Sequence, residues 1–205
     1  KVYVPGISLT QRNRNTNNVY LGYSSPKTPS RVYLYNLSTK SKKLVKEQEI
    51  PSGHNPNDYI VERIEYKSHD GRLVPLTITR HKKTKIDGTA NLLLYGYGSY
   101  GSSMSPNFLS TRLSLINRDI IWATTHIRGG MEKGMKWWKE GKLTNKKNTF
   151  EDYIYASKYL IEKKYSSKGK IIGMGGSAGG LLMGAVTNQA PELFLGIIMA
   201  VPFVD

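Results

Sequence analysis

The chain has 205 residues, of which 39% are hydrophobic, and thirty Lys and Arg outnumber fifteen Asp and Glu to give a formal charge of +15. It contains no cysteine, which excludes a disulfide framework and any thiolate metal site. No apolar run approaches the roughly 20 residues that a membrane helix needs, and the longest, Leu193 to Val204, is interrupted by Gly196 and Pro202. The basic excess is scattered as lysines (40, 42, 43 and 46; 82, 83 and 85; 133 to 147), the pattern of a solubilising surface rather than a nucleic-acid groove. The first residue is Lys and no charged-then-apolar leader follows, so the sequence reads as soluble and cut from something longer, with a cytoplasmic address as the default where the lack of cysteine leaves the compartment open.

Short β-type runs open the chain. VYLGY (19 to 23) and RVYLYNL (31 to 37) are separated by the loop-forming SSPKTPS, and KKLVKE after Ser38 to Lys40 is a plausible partner strand. This part is too small to hold a core alone. PSGHNPND (51 to 58) is the best candidate for a domain boundary. Beyond it, YIVERIEYKS and RLVPLTITR, two alternating runs, flank His69, Asp70 and Gly71, a strong hairpin signal.

The pattern then changes. NLLLY (91 to 95), DIIWATTHI (119 to 127), KIIGM (170 to 174) and LGIIMAV (195 to 201) lack alternation, as expected of strands buried on both faces of a parallel sheet. Between the second and third lies NTFEDYIYASKYLIEKKY, expected to be a helix capped by Asn148 or Thr149, with Glu151 and Asp152 in its first turn. Its apolar face would comprise Phe150, Ile154, Ser157 and Ile161, beside Tyr153 and Leu160. Strands alternating with helices define an α/β domain.

IIGMGGSAGGLLMGAV (171 to 186) places glycines around Ser177, between a β-type run and a helical one. Gly175, Ser177 and Gly179 satisfy GxSxG, the nucleophile elbow, where a tight turn lifts a serine hydroxyl above the sheet and bulky neighbours would collide. Two other readings remain open on this motif alone. Gly173, Gly175 and Ala178 fit GxGxxA, a dinucleotide fingerprint with Asp205 as a ribose ligand, and the glycines could simply permit close strand-helix packing. A second cluster, YGYGSYG (95 to 101), follows NLLL at the end where a parallel sheet places its site. A tyrosine hydroxyl there and the N–H of Ala178 could donate to a developing oxyanion.

YGYGSYG, HIRGG (126 to 130), Trp137-Trp138 and Gly141 leading to KKNTFEDY, GGSAGGLLMGA, NQAPELF and VPFVD together resemble the prolyl oligopeptidase family of serine peptidases, most closely its oligopeptidase B branch. The likeness runs from about residue 55 to the end in the family's order, which leaves the dinucleotide reading little room. It implies an α/β-hydrolase-type, mostly parallel sheet with helices on both faces over residues 53–205, an incomplete catalytic domain. The opening residues 1–52 would resemble the last part of the family's β-propeller.

By the same resemblance Ser177 is the nucleophile, Tyr97 the side-chain oxyanion donor and Ala178 the backbone donor, while Tyr100 and Phe203 line the pocket for the side chain preceding the cut. No cofactor or metal is implied. Short peptides are the expected substrates, cut after basic residues, with neither membrane nor nucleic acid as a partner. Two departures stand out. The family's triad Asp and His follow the serine well downstream, whereas here only 28 residues follow Ser177 and His54, His69, His81 and His126 all precede it. Asp205 matches a structural acid at a strand end, and Ser105 and Asn107 stand where the oligopeptidase B branch often carries acids. A missing C-terminal segment supplying Asp and His is therefore implied, with a catalytically inactive remnant as the alternative. Arg128 receives no role beyond shaping a loop.

Overall fold

The structure, a computed structural model, describes residues 8–10, 15–105 and 107–203. It divides into two compact units, residues 1–59 with 105–114, and 60–104 with 115–205.

The first unit is an antiparallel sheet of β1 (Ser8–Thr10), β2 (Asn18–Ser25), β3 (Thr28–Asn36) and β4 (Lys42–Glu47), in that order. SSPKTPS is not the loop expected of it. Ser25 pairs with Thr28, so only Pro26 and Lys27 make the turn, which the Ser25 hydroxyl holds by accepting the Thr28 N–H at 3.1 Å. Residues 105–114 join this unit through Phe108. Its N–H donates to Ser24 Oγ at 3.2 Å, and its ring meets His54 edge-on at 5.1 Å between centroids. Nothing local in the sequence signals that long-range attachment. A short helix, α1 (Ser110–Ile116), follows.

The second unit is built on six strands, β5 (Tyr59–Lys67), β6 (Leu73–His81), β7 (Leu92–Tyr95), β8 (Ile121–Thr125), β9 (Ile171–Gly176) and β10 (Phe194–Ala200), ordered β10-β9-β7-β8-β6-β5. Pairings β7 with β8, β7 with β9 and β9 with β10 are parallel, while β6 runs antiparallel to β8. The hairpin forms where Asp70 and Gly71 predict it, closed by Ser68 N–H to Arg72 O at 2.8 Å. β6 is buried continuously from Val74 to Thr79 instead of alternating, because it lies between β5 and β8 rather than at an edge. β10 departs the other way. Leu195, Ile198 and Met199 are exposed on this terminal strand of the order, so its lack of alternation does not reflect burial here.

Three helices complete the unit: α2 (Met135–Lys139), α3 (Lys147–Glu162) and α4 (Ala178–Gln189). The start of α3 corrects the expected cap. Its N-cap position is Lys146, and Asn148 and Thr149 lie inside the first turn with their side chains bonded outward, Asn148 Nδ2 to Glu140 O and Thr149 Oγ1 to Arg128 O and Gly141 O. Tertiary acceptors therefore outcompete the local cap. The buried stripe of α3 also shifts. Tyr153, Ile154, Ala156, Ser157 and Leu160 are buried, with Asp152 among them, whereas Phe150 and Ile161 lie at its margin. Tyr153, Ile154, Ala156 and Leu160 form the core together with Leu76, Ile78, Leu92, Leu94, Ile121, Ile171, Leu182, Met183 and Val186.

His126 is one buried titratable group of this unit. Arg63 Nη1 donates to Thr77 Oγ1 at 2.7 Å, and Thr77 lies 2.9 Å from His126 Nε2. With Nδ1 facing Glu132 Oε1 at 3.4 Å, this places the ring proton on Nδ1 and leaves Nε2 to accept from the threonine. Burial lowers the His126 pKa below its ordinary 6.5 despite Glu132. The folded chain then binds fewer protons than the unfolded chain below about pH 6.5, so stability falls as pH drops through that value. Chemical denaturation at pH 7 and pH 5 is expected to show a smaller loss for His126→Gln than for the parent; an identical loss would remove His126 as the cause.

Candidate active site

The parallel registers bring the carboxyl ends of β7, β9 and β10 to one edge of the sheet, since Tyr95 pairs with Met174 and Gly176 with Ala200. From that edge leave the glycine loop 96–101, the turn at Ser177 and the segment 201–203. Ligand sites of open α/β sheets form at such edges.

Ser177 bridges β9 and α4 with φ 53° and ψ −120°, a backbone conformation that an L side chain adopts at a cost of order 1–3 kcal/mol. Its backbone is held on both sides. The N–H donates to Ala200 O at 2.9 Å, and the carbonyl accepts from Gly180 N at 2.8 Å and Phe203 N at 2.9 Å. Its side chain is exposed and, although it occupies the N-cap position of α4, makes no capping hydrogen bond. Serine at that position normally caps. Here the turn at positive φ leaves that cap unmade. Ala178 opens α4, and its N–H belongs to the first turn, whose donors have no acceptor within the helix.

The glycines around it are a matter of space. A Cβ on Gly175 would strike the carbonyl oxygen of Gly179, and one on Gly180 would lie 2.5 Å from Pro202. A Cβ on Gly179 would come within 3.0 Å of Gly96 O and 3.4 Å of the Tyr97 ring. The same collar that lets strand and helix cross therefore lets the second glycine loop dock on the turn, which brings Tyr97 beside the residue two past the serine.

Of the residues singled out in the sequence, Ser177, Ala178, Tyr97 and Phe203 thus converge on one edge. Phe203 is half-exposed and bonded through its backbone to Ser177. Tyr100 occupies the same loop as Tyr97 but is 75% exposed, with φ 56°. Asp205 lies outside the described residues. Each histidine is engaged elsewhere: His54 Nε2 with Lys27 O at 2.8 Å, His69 against Tyr155, His81 Nδ1 with Lys83 N–H at 3.2 Å, and His126 with Thr77. Among the described residues no group of His, Cys, Asp or Glu could hold a metal ion.

Arg128 has a larger place than the sequence suggested. It is 1% exposed, and it donates through Nε and its backbone N–H to Asp152 Oδ2 (2.9 and 3.0 Å) and through Nη2 to Oδ1 (2.6 Å). Nη1 reaches Asp70 Oδ2 at 2.6 Å, in the β5–β6 hairpin. Ser68 Oγ adds a bond to Asp152 Oδ1 at 2.6 Å, and Tyr66 a bond to the Asp152 carbonyl at 2.7 Å. Burial alone would pull the guanidinium pKa down, but the bonds to Asp152 and Asp70 raise it above its ordinary value. Burial likewise opposes ionisation of Asp70, and Arg128 with the Arg72 N–H overcomes it, leaving that pKa lowered. The Arg128 backbone continues into Gly129, whose carbonyl accepts from Gly101 N at 2.9 Å, so the clamp supports the Tyr97 loop.

A mostly parallel sheet flanked by helices, with an exposed serine on a strained strand-to-helix turn at its carboxyl edge, defines an α/β-hydrolase-type domain. The prolyl oligopeptidase family model matches residues 106–205. Dipeptidyl aminopeptidase BI of Pseudoxanthomonas mexicana is 46% identical over 184 residues, 89% of this chain and 25% of the relative. Protease 2 of Moraxella lacunata is 41% identical over 197 residues, 96% of this chain and 29% of the relative. Oligopeptidase B from Leishmania major superposes with a TM-score of 0.86 at 38% identity, covering 93% of this chain and 27% of that structure. The chain thus spans between a quarter and a third of the length of these relatives. Among the described residues no helix is long and apolar enough to cross a membrane.

Proposed function

We propose that this chain carries the nucleophile and oxyanion hole of a cytoplasmic serine-type oligopeptidase that hydrolyses short peptides through an acyl-enzyme on Ser177. Residues 1–52 are the end of a β-propeller and residues 53–205 the first part of the catalytic domain; a further C-terminal segment supplies the triad Asp and His. The observation that supports this most is Ser177, exposed and uncapped at positive φ on a turn whose Gly179 packs against the Tyr97 loop.

In the reaction Ser177 Oγ attacks the peptide carbonyl while the incoming His takes its proton. Tyr97 Oη and the Ala178 N–H donate to the oxyanion. The tetrahedral species collapses as the His returns the proton to the leaving amine, and water then hydrolyses the ester. Tyr100 and Phe203 receive the side chain before the cut, a basic one. Removal of an amino-terminal dipeptide is a second reading, favoured by the 46% identity to the dipeptidyl aminopeptidase.

The test uses the chain completed with the C-terminal part of the Pseudoxanthomonas mexicana enzyme, assayed on Arg 4-nitroanilides with blocked and free amino termini. Turnover of blocked substrates selects the endopeptidase reading, and turnover confined to free dipeptide derivatives selects the other. Tyr97→Phe is expected to lower kcat by about 10²-fold or more, as for loss of one oxyanion donor. No turnover by a folded, completed chain would favour an inactive remnant.

A further inference from the structure

Lys146 stands at the junction between the turn Leu143–Asn145 and α3, half-buried, with helical φ −58° and ψ −30°. Its Nζ donates to Gly98 O at 2.7 Å and to Ser99 Oγ at 2.8 Å. Both acceptors are neutral. Burial pulls its pKa down to about 8, the mark of an ammonium placed where its charge is not stabilised by water.

These two bonds fall on the residues directly after Tyr97. Gly98 has φ +68°, with Ile127 Cδ1 2.8 Å from where its Cβ would lie and Thr149 Cγ2 closer still. Thr149 N–H in turn donates to the Lys146 carbonyl at 3.0 Å. Lys146 and Thr149, one helical turn apart, thus grip Gly98 by its carbonyl and by the space over its Cα. On the other flank Gly101 N–H is tied to Gly129 O, and Ser102 N–H turns back to Ser99 O at 3.0 Å. Without the ammonium, the Gly98 carbonyl would lose its charge-assisted donor, and the loop would be held by backbone bonds at its two ends, Gly96 N–H to Met174 O at 3.1 Å and Gly101 N–H to Gly129 O.

We infer that Lys146 is a positioning residue for the oxyanion hole, fixing the loop that presents Tyr97 through the Gly98 carbonyl and the Ser99 hydroxyl. The inference rests on the reading of Tyr97 given above. A three-donor ammonium on a flexible stem suits the task, since it reaches a carbonyl and a hydroxyl at once.

A double-mutant cycle in the completed chain tests it. Lys146→Met is expected to lower kcat by about tenfold with little change in KM, whereas in a Tyr97→Phe background the same substitution has almost no effect, because the tyrosine it positions is already disabled. Lys146→Arg, which keeps a charged donor, is expected to restore part of the loss. Equal losses in both backgrounds, or an unchanged kcat, would overturn the proposal. Amide exchange on the 205-residue chain separates this failure from failure of the functional reading. Lys146→Met must speed exchange at Ser102, whose amide donates to the carbonyl of the Ser99 that Lys146 holds, and unchanged protection there overturns the positioning role whatever Ser177 does. Full activity of Tyr97→Phe instead overturns the role of Tyr97.

Discussion

Arg128→Met is expected to remove about 3–5 kcal/mol of stability, because it deletes one side of a buried ion pair and strands the other. Asp152 is fully buried, and both of its carboxylate oxygens are bonded to Arg128. Methionine fills much of the same volume but supplies no donor, so the carboxylate must stay charged with Ser68 and a backbone N–H as its remaining partners or take up a proton. Lysine is no substitute, since a single ammonium cannot span Asp152 and Asp70 in the forked geometry that the guanidinium uses. With total domain stability of about 5–15 kcal/mol, such a loss is a large fraction of the whole. Urea denaturation of Arg128→Met beside the parent measures it. The double variant Arg128→Met/Asp152→Leu is expected to recover much of the loss, and a single variant within about 0.5 kcal/mol of the parent would show the clamp to be dispensable.

Ser177→Ala is expected to reduce turnover by the completed chain by roughly a millionfold, the scale on which removal of a triad serine acts. Its effect on stability is expected to be small, because the hydroxyl makes no capping bond whose loss would matter. Ser177→Gly gives a sharper contrast. Glycine occupies φ 53° without the penalty borne by a residue with Cβ, so this variant should be equally inactive yet more stable by about 1 kcal/mol. Greater stability with lost activity is the mark of strain kept for function. A glycine variant that unfolds more easily than the parent would mean that the hydroxyl holds the turn together.

Local patterns made several elements legible. Apolar runs without alternation located β7, β8, β9 and β10, the Asp70-Gly71 pair located the β5–β6 turn, and the crowded glycines located the strand-helix turn at Ser177. What escaped were features set by partners distant in sequence. Thr149 looks like a helix cap until Arg128 O and Gly141 O supply acceptors from outside the helix. Asp152 looks like a first-turn acid until Arg128, 24 residues away, claims it. Phe108 carries no local sign that it packs with Ser24 and His54. The glycine collar could be read as a need for space, but its obstacles, Pro202 and the Gly96–Tyr97 backbone, emerge only once three strands share an edge.

Peptide mapping of the completed chain after reaction with a fluorophosphonate probes the central claim most directly. The strained turn at the sheet edge predicts a single adduct on Ser177, absent from the alanine variant. An adduct on any other residue, or labelling that persists after Ser177→Ala, would contradict it.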